Sequence, residues 1–439
     1  MQRPATASAH TCRLQALLEH SPPPLAGNMD MDFTLAELKA AVSLVNKKSS
    51  PGPDTVTCTA ISNLDSNCLH AVLDIYNSSW RQGAVPAWWK LAQVVPILKP
   101  GKHPSQLSSF RPIALTSCLG KVLERMVLHR LEWWLESRGF FPQEMTGFRR
   151  HRSSLDSVLE LVTAVQDAKH QKRIPMAVFL DVKRAYDTIS HTSVLHALLQ
   201  AGVPHNAFRW IADFLQGRRI LIRTAEGDTE EFPVTQGVPQ GSVLSSLLFN
   251  VVMAGLKNCI LRTVSLSIYA DDICIWTSGK SRPALRQRLQ RSLEAIDTHL
   301  KQAGMDISAE KSAVLPFTRK HMQRFQLYIG TRALTQVTYH RFLGVILDSN
   351  LSWKRHVTHL EARVQRWVNV IRHFAGMRWR RDEHDLLMLH NALVRASVTY
   401  SLPVLHGLSW THWSMDSRAE TPCAPCTQLE GMPWCPTGR

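Results

Sequence analysis

Long hydrophobic runs are missing from this 439-residue chain. The most apolar stretch, residues 243–256, is too short and too broken by serines to cross a bilayer, which takes about 20 apolar residues. No membrane partner is therefore expected. Disulfide spacing is missing too. The nine cysteines are scattered, and those from Cys12 to Cys274 form no framework. With no signal peptide or transmembrane segment, the expectation is a reduced, intracellular protein of nucleus and cytoplasm. Acid is scarce: 35 Asp+Glu face 51 Lys+Arg, a formal net charge of +16. That balance suits a polyanion, above all a nucleic-acid backbone. Internal repeats and long low-complexity segments are absent, and a 44% apolar content excludes general disorder.

What is present is a chain long enough for two or three domains with real cores. Residues 1–32, with Ser21-Pro22-Pro23-Pro24, read as a disordered tail. Phe33, Leu35, Leu38, Val42 and Val45 recur at helical spacing, with Thr34 and Glu37 forming a capping box. The pattern predicts helices over 69–80, 120–135, 153–165, 191–201, near 205–215, over 243–257 and over 283–300. Strands are expected at 94–98, 176–181, 312–317 and 341–347, and a hairpin-like segment at 220–234. Residues 354–381 form a basic helical region with Arg363, Arg366, Arg372, Arg378, Arg380 and Arg381 and the aromatics Trp367, Phe374 and Trp379. Beyond residue 409 the pattern dissolves. Cys423, Cys426 and Cys435 lack a fourth ligand of zinc-site spacing, so no zinc is expected there.

Two acidic positions stand out. Asp271 and Asp272 lie between runs rich in β-branched and aromatic residues, Ser267-Ile268-Tyr269 and Ile273-Cys274-Ile275-Trp276. That is a strand, a tight reversal and a second strand, with two carboxylates at the tip repelling each other unless a cation intervenes. An isolated Asp-Asp turn is ordinarily a solvated loop, but these flanks are apolar. Asp181 ends another apolar strand, Phe179-Leu180-Asp181, where a lone acid often only caps the next helix. Joined across neighbouring strands, the three could hold two Mg²⁺ ions about 3.5–4 Å apart, with Mn²⁺ as the alternative. One ion would activate a primer 3′-hydroxyl and the other neutralise leaving pyrophosphate.

With these residues in view, roughly positions 35–400 resemble the reverse transcriptase of non-LTR (LINE-type) retrotransposons. The resemblance runs in the family's order. It takes in Lys48-Ser49-Ser50-Pro51-Gly52-Pro53-Asp54, Ser109-Phe110-Arg111-Pro112-Ile113-Ala114-Leu115 and Gly147-Phe148-Arg149. It continues through residues 179–189, 236–256, the Tyr-Ala-Asp-Asp hairpin, residues 304–315 and Phe342-Leu343-Gly344-Val345. It implies a right-hand polymerase fold of the α+β class. The expected division is fingers with the start of the palm over 33–175, palm with an antiparallel sheet over 176–350, a helical thumb over 351–408 and an irregular tail over 409–439.

The same resemblance implies roles. Asp181, Asp271 and Asp272 would be the catalytic metal ligands, with Asp271 the better ligand of the pair. Tyr186 would lie under the incoming sugar and leave no room for a 2′-hydroxyl. Gln240 and Gly241, in Gln236-Gly237-Val238-Pro239-Gln240-Gly241-Ser242, would border the nascent base pair. Arg111 and Lys102 would grip the triphosphate, with Lys99 a competitor for Lys102's place. Lys311 would approach the phosphates and protonate pyrophosphate. Expected partners are an RNA template, a DNA primer and deoxynucleoside triphosphates, with any endonuclease supplied elsewhere. Two other readings stay open. One is an RNA-dependent RNA polymerase, disfavoured by Tyr186 and by the Ala before the acids. The other is a catalytically silent nucleic-acid-binding remnant of a truncated element, which the intact acids oppose.

Overall fold

A computed structural model describes residues 29–224, 226–318, 325–376 and 383–405. The N-terminal tail before residue 29, residues 378–381 and the cysteine-bearing C-terminal segment lie outside that range. Two compact units emerge, one ending at Val357 and one beginning at Thr358.

The first unit opens with α1 (Leu35–Ser43), where Thr34 and Glu37 cap each other as the sequence implies. α2 (Ser66–Gln82) stops at Gly83, and β1 (Leu91–Leu98) pairs antiparallel with β2 (Phe110–Leu115). α3 (Cys118–Ser137) and α4 (Ser154–His170, capped by Ser153) precede β3 (Ile174–Lys183). Next come α5 (His191–Gln200), α6 (His205–Leu215), β4 (Arg218–Thr224) and β5 (Phe232–Val234). α7 (Ser245–Met253) leads to β6 (Ser265–Tyr269), β7 (Asp272–Gly279) and α8 (Arg282–Gln302). β8 (Asp306–Ile307), β9 (Ala313–Pro316), β10 (Thr335–Gln336), β11 (Tyr339–Phe342) and β12 (Val345–Asp348) complete the strands used below.

The central sheet runs β10–β9–β3–β7–β6, with β8 pairing the end of β3. β3 pairs antiparallel with both β7 and β9. Its run Met176 to Leu180 is buried throughout, as expected of a strand covered on both faces. α8 buries Leu285, Leu289, Leu293, Ile296 and Leu300 beneath β7. Each such side chain contributes roughly 1.5–3 kcal/mol, which outweighs the modest helix propensity of the charged opposite face. A second sheet, β2–β1–β4 with β5 on β4, has a small core of its own in Ala92, Val94 and Ala114, with Ile220 and Ile222 packed against it.

Two expectations need correction. The helix expected over 243–257 breaks after Met253 and resumes only as a turn at Leu256–Cys259. The break passes Gly255, where the backbone lies against the His299 ring. The single strand expected over 341–347 is instead the hairpin β11–β12, reversed by Leu343 and Gly344 at φ 46 and 87.

The second unit is helical. α9 (Lys354–Gly376) enters it, followed by α10 (Glu383–Leu389) and short helical turns to Leu405. Arg363, Arg366 and Arg372 are exposed, whereas Trp367 and Phe374 are half-buried.

Candidate active site

Strand register builds this site. β3 and β7 pair so that Asp181 faces Asp272, while Tyr269 faces the same Asp272 from β6. Ala270 and Asp271 therefore make the turn, and Asp272 begins the second strand. Ala270 sits in the left-handed region at φ 54, costing roughly 1–2 kcal/mol. The tip is held from outside as well. Thr146 donates its backbone N–H to the Ile268 carbonyl at 3.0 Å, and Ile268 donates to that of Glu144 at 2.9 Å. A side chain at Gly147 would begin 2.5 Å from the Ala270 nitrogen, so only glycine lets the segments lie this close.

The electrostatics are those of anions forced together. Asp271 and Asp272 are exposed, yet the surrounding protein removes much of their water. Desolvation, then Asp271, then Asp181 push Asp272 up to about 6. Desolvation and Asp181 raise Asp271 as well. Lys311 answers part of that charge. Its ammonium lies 3.0 Å from Asp181 Oδ1 and 3.4 Å from Oδ2. Asp181 is fixed from behind, because Ser308 donates to its carbonyl at 2.8 Å and its own N–H reaches Ser312 Oγ at 3.3 Å.

Among the described residues, no three His, Cys, Asp or Glu side chains are gathered tightly enough to hold a metal as they stand. The donor chemistry nonetheless suits a hard divalent cation: three carboxylates at one sheet end, mutually repelling, with one already drawing in an ammonium.

Beside the acids, Tyr186 stacks on Phe249 with centroids 4.9 Å apart. Burial, then the Asp271 charge, push its phenol up to about 12 against a smaller opposing effect of the nearby Ser246 hydroxyl. Residues 236–242 wrap around this segment. Val238 donates to the Tyr186 carbonyl at 2.7 Å, and His191 Nε2 reaches the Gly237 carbonyl at 2.8 Å. Gln240 donates its side-chain amide to Asp187 Oδ1 at 2.8 Å, and its carbonyl accepts the Ala114 N–H at 2.7 Å. Gly241, at φ 137, passes so near the Ala114 carbonyl that a Cβ would lie 2.2 Å from it.

The basic residues are less closely gathered. Arg111 is exposed on β2 opposite Ile97, and Lys102 is exposed in the turn whose N–H bonds back to Lys99 at 3.1 Å. Among the described residues neither side chain hydrogen-bonds or ion-pairs with the three acids. Lys99 contributes a smaller effect at Asp187, where the Gln240 bond, then Arg184 and Lys99, oppose the rise in pKa caused by burial.

Residues 97–347, more than half of the chain, match the family described as reverse transcriptase (RNA-dependent DNA polymerase). The chain belongs to that family. Reverse transcriptases similar to it include the RNA-directed DNA polymerase from mobile element jockey of Drosophila funebris, 28% identical over 91% of this chain and 44% of that protein. The probable polymerase from transposon X-element of Drosophila melanogaster is 26% identical over 83% and 40%. The Pol polyprotein of retrotransposable element R2 of Popillia japonica is 28% identical over 61% and 37%. These relatives identify a reverse transcriptase of the LINE type. The chain spans less than half the length of each.

Within this reverse transcriptase domain, sequence reasoning overlooked three contributors. Asp187 was visible only as part of a motif, yet it holds Gln240. His191 anchors Gly237. Glu124 is 4% exposed and bonds to Ser242 and Val243. Its signal was available: Glu124 lies on the apolar stripe of α3, four residues after Gly120 and three before Val127.

Proposed function

We propose that the chain copies RNA into DNA, extending a DNA 3′ end with deoxynucleoside triphosphates. The observation that carries this reading is the register placing Asp181 opposite Asp272, with Asp271 at the adjoining turn and within electrostatic reach of Tyr186. Two Mg²⁺ ions held by Asp181, Asp271 and Asp272 would supply charge stabilisation at the transferring phosphoryl group and a more acidic primer hydroxyl.

The chain's own residues do the rest. Tyr186, braced by Phe249, presents a ring under the sugar and excludes a 2′-hydroxyl by bulk. Gln240, oriented by Asp187, faces the nucleotide or its template partner. Arg111 supplies a bidentate grip on phosphate, and Lys102 or Lys99 a point charge. Lys311 leaves Asp181 as positive charge arrives and delivers a proton to departing pyrophosphate. The exposed arginines of α9 grip a phosphate backbone irrespective of base sequence.

Primer extension on an RNA template with Mg²⁺, offered deoxy- or ribonucleotides, tests this directly. Extension with deoxynucleotides is expected, and Asp271→Asn should lower it by roughly three orders of magnitude while leaving duplex binding intact. Duplex binding without extension by the unmutated chain would favour a silent binding remnant. Preferential ribonucleotide incorporation would favour an RNA polymerase.

A further inference from the structure

We propose that Glu124 is a positioning residue that clamps the 236–242 loop beside the acids and so sets how tightly the incoming nucleotide is held. The inference rests on the polymerase reading above. Glu124 belongs to α3 and is 4% exposed, within an otherwise apolar helix face. Its Oε2 accepts from the Ser242 hydroxyl at 2.5 Å and from the Val243 backbone N–H at 2.8 Å. Ser242 and Val243 directly follow Gln240 and Gly241, so the bond acts two residues from the side chain that faces the nucleotide.

Packing alone does not call for a carboxylate here. An apolar side chain of similar size would fill the same space without the cost of burying charge. Burial indeed raises the Glu124 pKa, while Ser242, Arg218, the Val243 N–H and Lys121 draw it back. Arg218, itself 4% exposed and donating to the Phe214 carbonyl at 3.2 Å, is the buried cation that offsets the charge. The loop has other anchors: Ile189 and His191 on Gly237, Tyr186 on Val238, Asp187 and Ala114 on Gln240, and Ser245 of α7 on Pro239. Among these anchors, Glu124 is the one that reaches Ser242 and Val243. Without it, Gln240 stays tied to Asp187 and β2, and Pro239 to Ser245, but Ser242 and Val243 lose their hold on α3.

Glu124→Ala, Glu124→Gln and Ser242→Ala in the full chain supply the test, read by steady-state extension, misincorporation and thermal melting. Glu124→Ala should raise KM for the nucleotide ~10-fold with kcat within about threefold, and should raise misincorporation. Glu124→Gln keeps an acceptor and should recover most of that loss, and Ser242→Ala should show a smaller effect in the same direction. A folded Glu124→Ala variant with lowered melting temperature but unchanged KM and misincorporation would overturn the proposal. If Glu124→Ala does not fold, unchanged nucleotide KM in both other variants overturns it. If even the unmutated chain extends no primer, the polymerase reading has failed separately. Amide exchange then decides the clamp: faster exchange at Val243 and Ala114 in Ser242→Ala supports it, and unaltered exchange rejects it.

Discussion

Lys311 and Asp181 form the ion pair that answers part of the negative charge gathered at the strand ends. The lysine is 68% exposed and the aspartate 30%, and an ion pair so open to water contributes under about 1 kcal/mol. A divalent cation replacing the ammonium would therefore lose little by displacing it. At Tyr186, ring bulk braced by Phe249 is the property proposed to discriminate between sugars. Tyr186→Ala should cut discrimination against ribonucleotides by roughly 10–200-fold, measured as the ratio of kcat/KM for matched deoxy- and ribonucleotides. Unchanged selectivity would remove the ring from that role. Gly147 makes a different prediction. A methyl there must push on the backbone of Ala270 and Tyr269, at 2.5 and 3.1 Å. Gly147→Ala should cost about 1–3 kcal/mol in unfolding experiments and slow extension at least ~10-fold, because the displaced turn carries Asp271.

Among elements, the attachment of α1 to α3 is the clearest electrostatic joint. Arg130 meets Glu37 at 2.7 and 2.9 Å and also donates to the carbonyls of Met29, Met31 and Asp32. Burial works against the Glu37 charge. The Arg130 and Thr34 bonds prevail and hold its pKa below 4.5. A carboxylate whose folded pKa is depressed contributes stability above its unfolded pKa and loses it as pH falls through the folded one. Denaturant unfolding of the unmutated chain and Glu37→Gln should therefore differ by a constant margin near neutrality. The margin should shrink below about pH 4.5 as the unmutated chain loses the benefit of ionisation. A margin independent of pH would mean that the joint owes its strength to shape alone. The hairpin β11–β12 teaches another lesson at this scale. The run Phe342-Leu343-Gly344-Val345-Ile346-Leu347 resembled one strand, but Leu343 and Gly344 adopt positive φ and fold the segment back.

For the molecule as a whole, a net charge of +16 means that affinity for nucleic acid should be dominated by counterion release. Binding to an RNA–DNA duplex should weaken linearly in log–log form as salt rises. Arg363→Ala with Arg366→Ala should reduce the slope by about 2 while leaving sequence preference unaltered. A slope unaffected by the double change would take those arginines out of the duplex contact. Among the described residues no helix is long and apolar enough to cross a membrane, in keeping with the scarcity of long apolar runs in the sequence.

Short-range patterns in the sequence determined much of this. The Thr34–Glu37 cap, the leucine face of α8, the apolar run ending at Asp181 and the turn at Asp271 all depend on residues a few positions apart. Such interactions leave a local periodicity, and the ordered motifs around them identified the polymerase family. Tertiary structure alone decided which distant groups meet. Asp181 faces Asp272 through strand register, Gln240 finds Asp187, and Glu124 finds Ser242 and Val243. A carboxylate on an apolar helix stripe announces that it needs a partner. Which donor answers is set by packing, because nothing local distinguishes one distant hydroxyl or N–H from another. The same physical reason explains the hairpin. Two adjacent acids at a turn are legible in sequence, but the third charge that acts on them is there only once β3 brings Asp181 alongside.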